Sequence, residues 1–322
     1  MRVAVTGASG FAGSWIARDL AAHGHEVHAF GRRPAADLAV PLPNYSQWDL
    51  VRDRGVVPSV DAVVHCAARV GHWGDEPAYR AVNVEGTRRV LAAFDNAEPF
   101  VHVSTSSVYD AGHGGRLTES APAGHEARTA YARTKIEGER LVAASGRRAV
   151  ILRPHIVYGP GDTTLLPRLL AARRRGWLAV PGNGANRVSV THVLNLSHAV
   201  ERSLLSAGAQ GVFNIADAES PSVDELLQAT FGRLGLPTRL VHIPRPVAWA
   251  AAWASETLAR GLRARREPLL TRYVVASLAD DHLLDISRAR ESLGYEPRST
   301  FRDPWVDDRQ DWGLAVQDAV GD

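Results

Sequence analysis

Near its start the chain reads Arg2-Val3-Ala4-Val5-Thr6-Gly7-Ala8-Ser9-Gly10-Phe11-Ala12-Gly13. The apolar run from Val3 to Val5 suits a short buried strand. Trp15, Ile16, Leu20 and Ala21 then recur at helical spacing beyond the glycines. Strand, glycine turn and helix in that order are the context a phosphate-binding loop needs, because free N–H groups and the helix dipole both favour an anion. Gly7 permits the tight turn, Gly10 lets backbone approach a pyrophosphate, and Gly13 lets the helix lie close to the sheet. The spacing is G-x-x-G-x-x-G rather than the commoner G-x-G-x-x-G. In this context it predicts nucleotide binding.

A second strand, Glu26–Phe30, ends at Gly31-Arg32-Arg33-Pro34. Sites for NAD(H) place a carboxylate near this strand end, where it accepts hydrogen bonds from the ribose 2′-hydroxyl. Gly31 supplies none, and two guanidinium groups follow that can clamp a 2′-phosphate. The prediction is NADP(H) in preference to NAD(H), with Arg32 and Arg33 as mere solvated loop charges the alternative. Asp61–Ala68 reads as a third buried strand whose small residues Cys66, Ala67 and Ala68 let backbone approach a cofactor. Asp49 lies in a turn suited to touch adenine.

Of the 37 lysines and arginines only Lys135 is a lysine, and it stands four residues after Tyr131. On a helix, positions i and i+4 share a face, so the two can enter one cleft. An ammonium close to a phenol favours phenolate and is predicted to lower the tyrosine pKa. The pair is a candidate proton donor and acceptor for carbonyl/alcohol chemistry, against the bland reading of an exposed lysine on an amphipathic helix.

A net charge of +2 gives no reason to expect nucleic acid as a partner, and Arg173–Arg175 and Arg263–Arg266 read as solvated clusters. A lone cysteine, Cys66, excludes an internal disulfide and a cysteine-based metal site, and no metal is expected. The opening residues form a strand and loop rather than a leader, so the cytoplasm is the expected location. The least polar stretch, Pro246–Ser255, is too short to span a membrane, which takes about 20 residues. Its Trp249 and Trp253 make one aromatic face, read first as core packing, with a wall over a substrate cleft or a loose membrane contact as other uses.

Short apolar strands alternate with helical segments (78–94 and 130–145 among them) as far as Ile151. That pattern predicts an α/β fold with a doubly wound parallel sheet, ligands lying beyond the carboxyl ends of its strands. Residues 1–153 and about 187–218, with Arg187–Val190 and Val212–Ile215 as returning strands, are assigned to the dinucleotide-binding domain. About 154–186 and 219–322 form a smaller substrate-binding cap.

Taken together, Gly7, Gly10 and Gly13, His65-Cys66-Ala67-Ala68, Asn83 with Gly86-Thr87, Val103–Tyr109, Tyr131 with Lys135, Leu152-Arg153-Pro154 and Val157–Asp162 resemble the extended short-chain dehydrogenase/reductase family along almost the whole chain. The resemblance implies a Rossmann domain and a catalytic triad of Thr105, Tyr131 and Lys135, with Ser104 and Ser106 as near alternatives to Thr105. It implies that Lys135 also bonds the nicotinamide ribose. Dinucleotide contacts would come from Ser9, Phe11, Ala12, Leu50, Cys66, Ala67, Ala68, Asn83, Pro154, His155 and Val157. A small-molecule substrate would meet Trp73, Ser106, Tyr109 and His155, and a homodimer is usual for the family.

Family members that eliminate water from nucleotide sugars carry Asp-Glu after the hydroxyl residue, where this chain has Ser106-Ser107. Epimerases carry Asn where His155 stands; His155 either donates to a phosphate or closes the core edge. The segments 67–74 and 267–273 are similar to the 3β-hydroxysteroid dehydrogenase-like branch, which implies a bulky apolar substrate, steroid-like or a long-chain 3-keto compound. The expected activity is ketone/alcohol interconversion with NADP(H). The alternatives are a nucleotide-sugar 4-ketoreductase or epimerase, and a non-catalytic NADP(H)-sensing protein.

Overall fold

A computed structural model describes residues 1–52, 57–110, 116–124, 129–264 and 266–303. In chain order its strands are β1 (Arg2–Thr6), β2 (Glu26–Gly31), β3 (Ser46–Gln47), β4 (Ala62–His65), β5 (Phe100–Val103), β6 (Arg116–Leu117) and β7 (Ala149–Pro154). There follow β8 (Val157–Tyr158), β9 (Trp177–Pro181), β10 (Thr191–His192), β11 (Gly211–Ile215), β12 (Arg239–Ile243) and β13 (Leu283–Leu284). The helices are α1 (Phe11–Ala22), α2 (Glu76–Arg80), α3 (Thr87–Ala93), α4 (Ala130–Ala143) and α5 (Leu165–Ala172). After them come α6 (Val193–Leu205), α7 (Val223–Arg233), α8 (Arg245–Gly261), α9 (Arg272–Ala279) and α10 (Ser287–Leu293).

Seven strands form one sheet in the order β11-β7-β5-β4-β1-β2-β3, with every neighbouring pair parallel. A parallel sheet is covered on both faces, so its strands are apolar throughout rather than alternating. Val3, Ala4 and Val5 are all fully buried, as are Ala62, Val63 and Val64. One face packs on Ile16 and Leu20 of α1 and Leu196 and Val200 of α6. The other packs on Val90 of α3 and Val142 of α4, with Phe30, Trp48 and Phe94 set edge to face beside them. From β1 the chain builds outward to β2 and β3 on one side, and from β4 to β5, β7 and β11 on the other. The strand order therefore reverses between β1 and β4, which opens a crevice at their carboxyl ends.

Residues of the expected cap share a further apolar core, which includes Leu166, Leu170, Leu178, Val223, Leu227 and Phe231. Short parallel pairs, β9 with β12 and β6 with β13, bind distant segments together. A smaller cluster joins Ala248 and Ala252 of α8 to Val275 of α9.

The structure departs from the sequence reading at three places. Arg187–Val190 adds no strand to the central sheet, because Val188 and Val190 are drawn into the cap core. Arg187 and Val188 make only isolated bridges, to Ser222 and His282. The helix expected over 78–94 is present, but a wider π turn at Ala81–Gly86 is set between α2 and α3, with helical backbone throughout. Finally, Trp249 is 37% and Trp253 57% exposed, so neither is a core residue. Arg265 and the final part of the expected cap, 304–322, lie outside the described residues.

Candidate active site

The glycine loop lies in the crevice between β1 and β4. Gly7 has φ +75°, and a Cβ there would fall 2.5 Å from the Ala67 nitrogen. At Gly13 a Cβ would fall 2.3 Å from the Gly7 carbonyl oxygen. Backbone alone can occupy both positions, which brings the start of α1 against the turn and the end of β4. Gly10 N–H donates to the Gly7 carbonyl, and no side chain caps α1 at Gly10. An uncapped helix start beside a glycine turn suits a pyrophosphate. Trp15 Nε1 donates to the Pro160 carbonyl, so the loop after β8 is tied to the same helix.

At the end of β2, a Cβ on Gly31 would lie 2.5 Å from Ser9 Oγ and 2.7 Å from the Tyr45 hydroxyl oxygen. A side chain there would oblige Ser9 and Tyr45 to move. Tyr45 donates to the Arg33 carbonyl at 2.6 Å and Gln47 to the Arg32 carbonyl at 3.0 Å. These bonds anchor the backbone of the loop while both arginine side chains stay exposed. Asp49 turns back on its own loop, accepting from Val51 N–H, and the Leu50 carbonyl accepts from Arg89.

Thr129 caps α4 by accepting from Ala132 N–H, which puts Tyr131 in the first turn and Lys135 one turn further on. Both face inward, Tyr131 8% and Lys135 2% exposed. Thr105, two residues past the end of β5, accepts from Ser107 N–H and lies beside Tyr131. The three triad candidates thus converge on one strand end. The Lys135 ammonium donates to the Val103 carbonyl at 2.8 Å and lies 3.2 Å from His102 Nε2.

The electrostatics differ from the sequence-based expectation. Burial pushes the Tyr131 phenol above its ordinary range, with the Thr105 hydrogen bond acting the other way. Lys135 is pushed down to about 8 by burial, while Glu139 and then Cys66 act to raise it. The reason is that α4 is buried along this face, and water lost from both groups outweighs their partners. Burial likewise pushes the Cys66 thiol up to about 12, so it acts as a small apolar group beside the loop.

Asn83 works on backbone. Its Oδ1 accepts from Arg69 N–H at 2.8 Å, and its Nδ2 donates to the Arg69 carbonyl and to Thr134 Oγ1. It sits within the π turn and fastens the segment after Ala67 and Ala68 to α4. Tyr109 is placed in the core rather than brought to the triad. Its hydroxyl donates to Asn214 Oδ1 at 2.6 Å and the Arg153 guanidinium lies over its ring. Trp73 donates to the Ala264 carbonyl and so joins the cap side.

Ser106 Oγ lies 2.7 Å from His155 Nδ1 and 3.1 Å from His282 Nε2, and the two imidazoles stack with centroids 4.0 Å apart. Burial, and then each other's proximity at His155, hold both rings below the usual histidine range, His282 at about 4. His155 Nε2 is buried without a partner among the described residues. Pro154 ends β7, and Val157 pairs with Thr191 just after it.

Residues that the sequence reading did not single out complete the site. Tyr273, from α9, has its hydroxyl 3.2 Å from Ser107 Oγ, and Thr105 Oγ1 donates to that same serine oxygen. A string of hydroxyls therefore runs from Thr105 through Ser107 to Tyr273. His72 stacks on the Tyr273 ring at 3.6 Å and meets Tyr131 edge on. Tyr273 closes the 267–273 segment noted in the sequence without a role, and Thr271 in that segment caps α9 by accepting from Val274 N–H.

The chain matches the NAD dependent epimerase/dehydratase family over residues 3–216. It is 33% identical over 319 residues to a 2-alkyl-3-oxoalkanoate reductase of Stenotrophomonas maltophilia, covering 94% of this chain and 97% of that protein. It is 32% identical to a 3 beta-hydroxysteroid dehydrogenase/Delta 5-->4-isomerase of Mycobacterium tuberculosis, covering 93% of this chain and 87% of that protein. Among solved structures, UDP-glucuronic acid 4-epimerase from Bacillus cereus in complex with NAD superposes with a TM-score of 0.74 at 20% identity. That superposition covers 99% of this chain and all of the epimerase, and shows the fold alone.

Proposed function

Because the chain belongs to the NAD dependent epimerase/dehydratase family, as an extended short-chain dehydrogenase/reductase of ketoreductase type, we propose that it reduces the ketone of a bulky, apolar 3-keto compound to a secondary alcohol with NADPH. The observation that carries this reading is that Tyr131 and Lys135 are both buried one helical turn apart on α4, with Lys135 donating to the Val103 carbonyl at the strand end that leads to Thr105. The glycines at 7 and 13, which admit only backbone, fit a dinucleotide pyrophosphate. The loop 7–13, Arg32 and Arg33, Asp49 and Leu50, Cys66–Ala68 and the 154–157 segment would hold the cofactor, and Lys135 its ribose. When bound, the nicotinamide supplies the hydride.

The protein's own part is to hold and move a proton. Burial keeps the Tyr131 phenol protonated through the neutral range, which loads it as a donor for reduction. Its proton passes to the substrate oxygen as the carbonyl carbon gains its new C–H bond. Thr105 orients that oxygen toward the phenol. We assign the Lys135 ammonium, one helical turn along α4, as counter-charge to the phenolate that develops, and the Thr105–Ser107–Tyr273 hydroxyls as a route that returns a proton. His72, Tyr273 and Trp73 supply an aromatic wall suited to an apolar substrate. The test is steady-state reduction of a 2-alkyl-3-oxoalkanoate, a 3-ketosteroid and a UDP-4-keto sugar, followed by loss of NADPH absorbance. Turnover of the sugar alone would refute the reading.

Arg32→Ala and Arg33→Ala test the cofactor preference. A charge-assisted hydrogen bond contributes about 1.5–3 kcal/mol, so each is expected to weaken NADPH binding by roughly ten- to a hundredfold and leave NADH binding nearly unchanged. Titration of both dinucleotides checks this, and equal losses for the two would refute it.

Lys135 gives the pH dependence. As its ammonium ionises near pH 8, kcat/KM for reduction is expected to fall on the alkaline side, because the developing phenolate loses its counter-charge. Lys135→Arg stays charged, so its profile is expected to lack that limb whatever its absolute rate. A limb that persists in the arginine variant would assign it to another group.

A further inference from the structure

Helix α8 buries a narrow seam, with Ala248, Ala252 and Glu256 repeating every fourth residue against α9. The rest of its surface is open, with large apolar side chains among the exposed Arg245, Thr257 and Arg260. Val247 is 58%, Trp253 57%, Leu258 65% and Leu262 72% exposed, with Trp249 beside them and small residues between. These make up much of the exposed large-hydrophobic surface of the described residues. Scattered exposed apolar residues are ordinary, but a continuous face along one helix marks a contact surface.

Charge identifies what the surface contacts. The open face of α8 carries no free carboxylate. Glu256 is buried and taken by Arg260 and Arg272, while Asp280, near the start of the helix, is taken by Arg245. Just past the end of α8, Arg263 and Arg266 are exposed and meet no carboxylate among the described residues. A second copy of the chain docking here would bring cationic rims together with nothing to neutralise them. An anionic lipid surface neutralises them and accepts tryptophan and leucine at the headgroup boundary. At 17 residues α8 is not long enough to cross a bilayer, and no described helix is.

We propose that the outer face of α8, with Val247, Trp253 and Leu258 inserted and Arg263 and Arg266 at the rim, docks the protein on an anionic lipid bilayer. The inner side of the same helix supports the candidate site. Arg260 lies over the Trp73 ring, Trp73 donates to the Ala264 carbonyl, and Glu256 accepts from the first backbone N–H of α9, which carries Tyr273. If the substrate is apolar, as proposed above, docking sets the wall of the cleft beside the phase in which such a substrate dissolves. Lipid binding itself needs no substrate, so the two proposals fail separately.

Flotation with vesicles of phosphatidylcholine containing phosphatidylglycerol, against phosphatidylcholine alone, tests it on the full-length protein. The intact protein is expected to float with the anionic vesicles and to be released by high salt. Trp253→Glu and the pair Arg263→Glu with Arg266→Glu are each expected to weaken binding at least about tenfold. Both variants should keep the wild-type thermal unfolding midpoint and dinucleotide affinity, since the altered side chains are exposed. Absence of flotation overturns the proposal. So does a dimer in sedimentation equilibrium that Trp253→Glu splits into monomers, which would give the face to a second copy of the chain.

Discussion

Tyr131→Phe is expected to lower kcat/KM for ketone reduction by about a thousandfold, the scale of a lost general acid, while dinucleotide affinity changes less than about twofold. The substitution removes one oxygen from a ring that is already buried and leaves its edge contact with His72 in place. The loss should therefore lie in the chemical step and not in folding. Thr105→Val is expected to cost less, because the phenol keeps its proton and only the orienting hydroxyl is gone. The measurement is single-turnover reduction at saturating NADPH, with thermal unfolding as the control. If Tyr131→Phe keeps more than about a tenth of the rate, the proton comes from elsewhere. Tyr273 would then be the next residue to change, since its hydroxyl ends the string that begins at Thr105.

The second large effect concerns stability. Arg153 donates to both carboxylate oxygens of Glu139, at 3.0 and 2.6 Å, and Ser104 donates to the same carboxylate. The pair is 6% and 4% exposed. Glu139→Ala would leave a buried guanidinium without a counter-charge, and such a loss costs about 3–5 kcal/mol. Urea unfolding is expected to show a fall of that size. A loss below about 1 kcal/mol would mean that the pair behaves as a surface one. Glu139→Gln carries a second readout. Glu139 acts to raise the Lys135 pKa, so removing its charge should move the alkaline limb of the rate profile below pH 8.

The outline of both fold and triad is legible in the sequence because each rests on local pattern. A strand, Gly7, Gly10, Gly13 and a helix are contiguous, and Tyr131 and Lys135 are brought together by helix geometry alone. Thr105 came only from the family resemblance, with Ser104 and Ser106 as near alternatives to it. Tyr273 and His282 could not, since they reach Ser107 and Ser106 across 166 and 176 residues, and no local periodicity encodes that meeting. Tyr109 illustrates the opposite case. It belongs to a landmark stretch, yet its side chain turns to Asn214 on β11. The direction of the Tyr131 pKa was also beyond a sequence reading. The number of charges near the phenol can be guessed from spacing, but how much water they lose depends on the packing of α4 against β5 and the cap.

The crowding at Gly31 bears on how dinucleotide preference could ever change in this lineage or in a redesigned enzyme. Ser9 Oγ and the Tyr45 hydroxyl would each stand less than 3 Å from any side-chain carbon introduced there. A side chain at that position therefore obliges Ser9 and Tyr45 to shift or to shrink. A library that varies positions 9, 31 and 45 together would relieve the crowding that one varying position 31 alone leaves in place.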